Sequence, residues 1–418
     1  MVHHFNEIFI QILILLAIAL AVIGIAQKLN RPYSIALVLV GLLLGMIHIP
    51  VLEQAETYIT QSNVFQAIVI SLFLPILLGD ASLKLPFSHL REHSKPVLAL
   101  ALGGTLISFG LIALGGYYLL GLPLVVACTF AALMSATDPI SVISIFKSLG
   151  VPKKLTTVIE GESLLNDGIA VVLFQISSIY LLSYMEMGWG GVGSGLLLFL
   201  QFAVGGTIVG LILGFVFSRI IVYYDDYPFE TALSAVLFFG CYFIAEHMHV
   251  SGVIAVVVGG LVFGNYGRKV GMSETTHTNI DTFWDTIALI ANSLIFLMIG
   301  LEIRNIDFGG RWPVLLLAIL IVLIARSAAV YLSLAGVKGF ENKFKHILNW
   351  GGLKGSLSIA LALSLPIEFE GREDILVLAF SVVLFSLLIQ GLSIEKLIVK
   401  LGAAPGKEKS NRPAEKDA

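Results

Sequence analysis

Three acids stand in this chain where an acid is costly. Asp138 lies in LMSATDPISVISIF (Leu133 to Phe146), and Glu162 and Asp167 lie in VIEGESLLNDGIAVVLF (Val158 to Phe174), stretches that otherwise read as hydrocarbon. A carboxylate at the centre of a bilayer costs about 3 kcal/mol on insertion scales, so acids kept at that depth mark ion or proton pathways. Asp138 directly precedes Pro139. Proline lacks an N–H and its ring disfavours the α conformation in the residue before it, so a helix must break at this acid. The break leaves the Ser135 carbonyl without its helical partner. Free carbonyls there, with the Thr137 hydroxyl, are hard oxygen ligands suited to an alkali cation.

On a helix through Val158 to Phe174, Ser163 and Asp167 are spaced i, i+4 and share one face, while Glu162 and Asn166 share the neighbouring one. One face can thus offer a hydroxyl and a carboxylate to an ion, and the next can hold a separate network. Glu162 reads as half of a structural ion pair. Two cations lie inside apolar segments, Arg326 and Lys354, and an unpaired arginine at depth would be costly, which favours Arg326 as the partner. Asp80 ends the run FLPILLGD, where hydropathy alone puts it near the membrane boundary. Glu246, His247 and His249, and likewise Glu302 with Arg304, read as interfacial. Asp285 and Asn292 stay open between site and surface. Gly206, Gly210 and Gly214 point to close helix packing, not chemistry.

The elements that position these groups follow from composition. The 418 residues are 57% hydrophobic and 13% charged, with mean hydropathy +0.94. Soluble domains carry about a quarter charged residues, so this is an integral, all-α membrane protein. A net charge of −3 without a basic patch beyond the loops gives no footing for nucleic acid. Cys128 and Cys241 sit inside apolar runs and read as buried hydrophobes, with no disulfide framework and no cofactor implied. The first apolar run, Ile8 to Ala26, lacks a basic leader and reads as a span, not a cleaved signal.

With about 20 apolar residues per crossing, the chain accommodates about 13 transmembrane helices. Their approximate limits are 8–26, 33–48, 64–83, 96–120, 122–147, 156–184, 194–222, 228–247, 250–266, 282–303, 312–336, 345–366 and 375–397. All but five of the 25 lysines and arginines then fall on one side or in the C-terminal tail. Arg304, Arg311 and Arg372 lie opposite, and Arg326 and Lys354 lie within spans. The positive-inside rule therefore puts the N-terminus outside and the C-terminus in the cytoplasm. Residues 1–400 form the membrane domain, and the polar segment 401–418 is expected to be a short disordered tail. An odd number of spans leaves helices 1–6 and 8–13 entering from opposite sides, the relation an inverted repeat requires. Helix 5 then corresponds to helix 12. There NWGGLKGSLS (Asn349 to Ser358) sets Gly351, Gly352, Gly355 and Lys354 into an otherwise apolar segment, a second break expected to cross the first at the midplane.

The set F-L-P-x-L-L-x-acid (Phe73 to Asp80), T-D-P (Thr137 to Pro139), G-E-S-L-x-N-D (Gly161 to Asp167), A-R-S (Ala325 to Ser327) and G-G-L-K-G-S-L-S (Gly351 to Ser358) resembles the sodium/proton exchanger branch of the monovalent cation:proton antiporters. The resemblance implies a core domain (about 64–184 and 282–366) moving against a dimerisation scaffold (about 8–48, 194–266 and 375–397) in a homodimer. It implies electroneutral exchange of one Na⁺ or Li⁺ for one proton across the cell membrane. Asp167 would be the shared cation and proton site. Ser163, the Thr137 carbonyl and Asp80 would complete the cation shell, with Asp138 acting through water. Asn166 would brace the helix crossing, supported by Lys354 and the glycines, and Glu162 with Arg326 would form the core ion pair. The sequence departs from the common pattern at Asp80, where glutamate is usual, and at Lys354, where arginine is usual. Lysine cannot make arginine's bidentate contacts.

A potassium/proton antiporter on the same fold is the nearest alternative. An intramembrane aspartyl protease would use paired acids sharing a proton. Its G-x-G-D helix is not matched by L-L-N-D-G (Leu164 to Gly168), and it leaves the second broken helix unexplained. A passive channel would be exposed by flux exceeding what the proton gradient can couple. The chain therefore reads as a transporter and not an enzyme.

Overall fold

The structure, a computed structural model, describes residues 2–29, 32–46, 69–302 and 309–403. Among them every regular element is a helix. Ten of these helices are long and apolar enough to cross a membrane, which makes this a multi-pass membrane protein. In chain order the main elements are α1 (Val2–Lys28), α2 (Tyr33–Met46), α3 (Leu74–Lys84), α4 (Ser94–Tyr118), α5 (Leu124–Leu149), α6 (Lys153–Glu186), α7 (Gly190–Tyr223), α8 (Tyr227–His247), α9 (Gly252–Val270), α10 (Glu274–Glu302) and α11 (Trp312–Ser333), then α12, in halves Asn342–Gly351 and Ser356–Leu363, and α13 (Arg372–Lys400). The expected helical residues 47–48, 64–68 and 303, the interfacial Arg304, and nearly all of the expected tail lie outside the described residues.

Prolines set several starts. Pro152 stands just before α6, and Pro228 and Pro313 sit in the first turns of α8 and α11, where a missing N–H costs nothing. Gly150, at φ 65°, closes α5 in the left-handed conformation that glycine adopts freely. The largest departure from the sequence reading is α10, which begins at Glu274 and not near 282. Its first two turns are polar, so apolar windows miss them, and the Ser273 hydroxyl accepts the Thr276 N–H at 3.2 Å. A short surface helix, Phe87–Glu92, joins α3 to α4 and was not anticipated.

The helices pack as two groups. In the first, α2 crosses α10 with Gly41 and Gly300 backbone to backbone. Gly206, Gly210 and Gly214 of α7 lie against Ser251, Ala255 and Val262 of α9 and its N-cap, and α3 packs on α9 and α10. In the second, α4 packs on α5 and α11, α5 on α6, and α13 on α11 and the second half of α12. Hydropathy and sidedness fix how deep a helix lies, but not which helices are its lateral neighbours. The groups meet where α6 faces α9, where α10 meets the second half of α12, and where α2 meets the second half of α5.

Candidate ion-binding site

The helical part of α5 stops at Ser135 and restarts at Ile140. Ala136 is extended (φ −63°, ψ 151°), as expected of chain running into an X-Pro bond. The Asp138 carboxylate then caps the second half by accepting the Ile140 N–H at 3.0 Å. In α12 the helix stops at Gly351 and restarts at Ser356. The two gaps are laced together. The Asp138 N–H donates to the Leu353 carbonyl at 2.7 Å, Lys354 Nζ to the Ala136 carbonyl at 3.0 Å, and Ser358 Oγ to the Leu133 carbonyl at 2.8 Å. Backbone groups freed by the breaks thus find partners in the backbone and side chains of the other segment, away from lipid. Glycine is required by close approach: a Cβ on Gly355 would run into the Asp138 carboxylate, and one on Gly352 into the Arg326 guanidinium.

The middle of α6 lies against this crossing. Ser163 Oγ donates to the Thr137 carbonyl at 2.6 Å, and Asn166 Nδ2 to the Thr137 hydroxyl at 2.8 Å. The Thr137 N–H is directed at the Asp167 carboxylate. Asp167 Oδ1 and Asn166 Oδ1 are shut off from solvent with no protein hydrogen-bond partner. The crossing therefore gathers the Asp167 carboxylate, the Thr137 carbonyl and hydroxyl, the Ser163 hydroxyl and the Asp138 carboxylate. The donors are all oxygen, which suits a hard cation, and the carboxylates can carry a proton instead.

Glu162 lies on the neighbouring face of α6 and is engaged by a different partner. Both of its oxygens accept from Arg326, through Nη1 and, at 3.2 Å, through Nη2, which also donates to the Leu348 carbonyl at 2.9 Å. Lys354, buried, stands among Arg326, Glu162 and Asp167. Asp80 is not gathered with the others. Its carboxylate is held by Lys84 one turn along α3, and Lys84 also reaches Asp285 of α10 at 2.6 Å. Tyr33, at the start of α2, lies within electrostatic range of Asp138, Asp80 and Asp285. Glu246 accepts the Gly252 N–H at 3.2 Å between α8 and α9, and Asn292 is buried with Oδ1 unpartnered.

Two supports escaped the sequence reading. Ser356 approaches Asp138 with its N–H and hydroxyl, each at 3.4 Å, and Ser358 holds α5. Both belong to the glycine-rich motif, but their partners lie over two hundred residues away. The other is α13. Ser386 Oγ accepts the Lys354 N–H at 2.9 Å and donates to Gln390 at 2.8 Å, Gln390 reaches the Trp350 carbonyl at 3.3 Å, and the Trp350 indole donates to Ser393 at 2.8 Å. Buried Ser386 and Gln390 in an apolar span were the available signal.

Comparison with known proteins gives a consistent result. The family model described as sodium/hydrogen exchanger, transmembrane, matches residues 13–400. The chain is 66% identical over 400 residues to the Na⁺/H⁺ antiporter NhaH of Halobacillus dabanensis, covering 96% of this chain and 99% of that one. It is 56% identical over 413 residues to the Na⁺/H⁺ antiporter NhaG of Bacillus atrophaeus, covering 99% of this chain and 78% of the relative. Among solved structures it resembles the sodium proton antiporter MjNhaP1 of Methanocaldococcus jannaschii, with TM-score 0.77 over 95% of this chain and 99% of that one. At 23% identity, that likeness speaks for the fold alone.

Proposed function

Because the chain belongs to the sodium/hydrogen exchanger family, we propose that it exchanges Na⁺ (or Li⁺) for H⁺ at Asp167, one for one, by alternating access. The observation that carries this reading is the Asp167 oxygen left without a protein partner beside the Thr137 carbonyl and the Ser163 hydroxyl, where two broken helices cross. Inverted half-helix ends at the midplane are the transporter form of an ion site. Cation and proton exclude each other on one carboxylate, so a carrier that crosses only when loaded couples their movements without a separate gate. Asp167, Ser163 and Thr137 supply the cation shell, with Asp138 acting through water. Asn166 and Lys354 brace the crossing through Thr137 and Ala136, and Glu162 with Arg326 holds α6 to α11 and α12. Asp80, bound to Lys84, joins the shell only if Lys84 releases it.

The positive-inside distribution supports a plasma-membrane orientation with the N-terminus outside and the C-terminus cytoplasmic. Two copies are proposed to pair through the scaffold helices, as the family resemblance implies. The test is dye-monitored exchange in proteoliposomes with Na⁺, Li⁺ and K⁺ compared. Asp167→Asn should abolish exchange, while Asp167→Glu should keep a part of it. Near wild-type exchange by Asp167→Asn would remove the assignment, and K⁺ faster than Na⁺ would favour the potassium/proton reading.

A further inference from the structure

Away from the ion site, the connection between α3 and α4 forms one wall of a cleft of about 950 Å³ whose other wall is the end of α9 and the start of α10. We propose that this cleft binds the phosphate headgroup of an anionic phospholipid. Its lining is apolar at Leu85, Pro86 and Phe87, and Phe87 is 56% exposed, open to an acyl chain beside the cleft. Its rim carries Arg91 and Lys269, and no acid among the described residues pairs with either. Arg268 is paired with Asp281, yet its Nε is buried without a hydrogen-bond partner, as is Nε2 of His277. Lys84, also on the wall, is compensated by Asp80 and Asp285. The single acid lining the cleft, Glu92, is 71% exposed.

Phosphate oxygens accept strongly from arginine and lysine, and basic pockets between transmembrane helices suit anionic headgroups. The apolar lining beside basic side chains, at the ends of α3 and α9, selects the lipid source over free phosphate. A soluble anion gains nothing from Leu85 to Phe87. The cleft also lies at a seam. Asn265 of α9 clasps both sides of Pro86, accepting the Phe87 N–H at 2.7 Å and donating to the Leu85 carbonyl at 3.0 Å. A turn further on, Leu90 rests over Gly161 of α6. A headgroup held by Arg91 and Lys269 therefore joins a segment seated on α6 to the α9–α10 pair.

The experiment is thermal unfolding of the full chain in phosphatidylcholine nanodiscs with and without phosphatidylglycerol. Wild type should melt higher with phosphatidylglycerol. Arg91→Gln/Lys269→Gln should melt like wild type in pure phosphatidylcholine and lose that upward shift. Lys269→Gln alone, at an exposed position, should lose part of it, and keeps the test open if the double variant does not fold. Lys95→Gln/Lys153→Gln, which removes two charges outside the cleft on the same side, should keep the full shift. An undiminished shift in the cleft variants, or an equal loss in the control, overturns the proposal. So does an equal shift of wild type in pure phosphatidylcholine on adding soluble glycerol phosphate, which would assign the cleft to a free anion.

Discussion

Glu162→Gln takes one charge out of a pair that is almost fully enclosed. Glu162 is 1% exposed and Arg326 8%, and the guanidinium is committed to both carboxylate oxygens and to the Leu348 carbonyl. Gly352 packs directly against that guanidinium, so it has no room to swing toward water. Removing one partner of such a pair costs about 3–5 kcal/mol, mostly as the penalty of the charge left behind. With an unfolding entropy of about 2 cal/mol/K per residue, cooperative unfolding of a chain this long carries about 0.9 kcal/mol/K, so the melting temperature should fall by about 3–6 °C. Arg326→Gln should lose at least as much, because the Leu348 carbonyl loses its donor as well. Asp167→Asn should not fall comparably, since it removes charge from a carboxylate with an unpartnered oxygen. Glu162→Gln/Arg326→Met should lose less than the sum of the single changes, because neither charge is stranded. The assay is thermal unfolding of purified protein in one detergent. Equal melting of all three single variants would refute the pairing, as would strict additivity in the double. A Lys354→Gln variant that alone reproduced Glu162→Gln would move the partnership to Lys354.

Exchange should be electroneutral, because Asn166, the neighbour of Asp167 on α6, cannot take a proton at neutral pH. In vesicles with equal cation and pH on both sides, an imposed potassium diffusion potential should drive no proton movement. A pH change that reverses with the sign of the voltage would point to Asp138 or Asp80 as a second carrier. Gly355→Ala should lower both stability and exchange rate, since its methyl group meets the Asp138 carboxylate, whereas Gly240→Ala, with open space around it, should change neither. Ser163→Ala should raise the cation concentration needed for half-maximal exchange while leaving the fold intact, and an unchanged value would take the hydroxyl out of the shell.

What was legible in the sequence follows from what is local. Asp138 before Pro139 dictates a broken helix whatever surrounds it, and three glycines within Gly351 to Gly355 dictate another. Ser163 and Asp167 share a face because helix geometry requires it. The pairing of Glu162 with Arg326 could be narrowed to two candidates because so few cations lie inside spans. Asp80 shows the limit. Its neighbour Lys84 is an ordinary i, i+4 partner in the sequence, but the second carboxylate on that lysine, Asp285, comes from a helix two hundred residues later. The grouping of α3 with α9 and α10, and of α13 with α12, was equally hidden. Those choices depend on glycine contacts and on single polar side chains such as Ser386, which report a neighbour only once it is in place.

The lacing of α5 to α12 also has a bearing on biosynthesis. Glu162 and Arg326 are separated by 164 positions, and Lys354 reaches back 218 positions to Ala136. At a synthesis rate of about 5–20 residues per second, Glu162 is made roughly 8–30 s before its arginine. During that interval the nascent protein holds intramembrane acids and opened backbone that nothing yet compensates. A chain released before α12 therefore lacks the parts that make its first half tolerable to lipid. The site is therefore complete only once the second half of α12, Ser356–Leu363, has been made, long after the acids of the first half have entered the membrane.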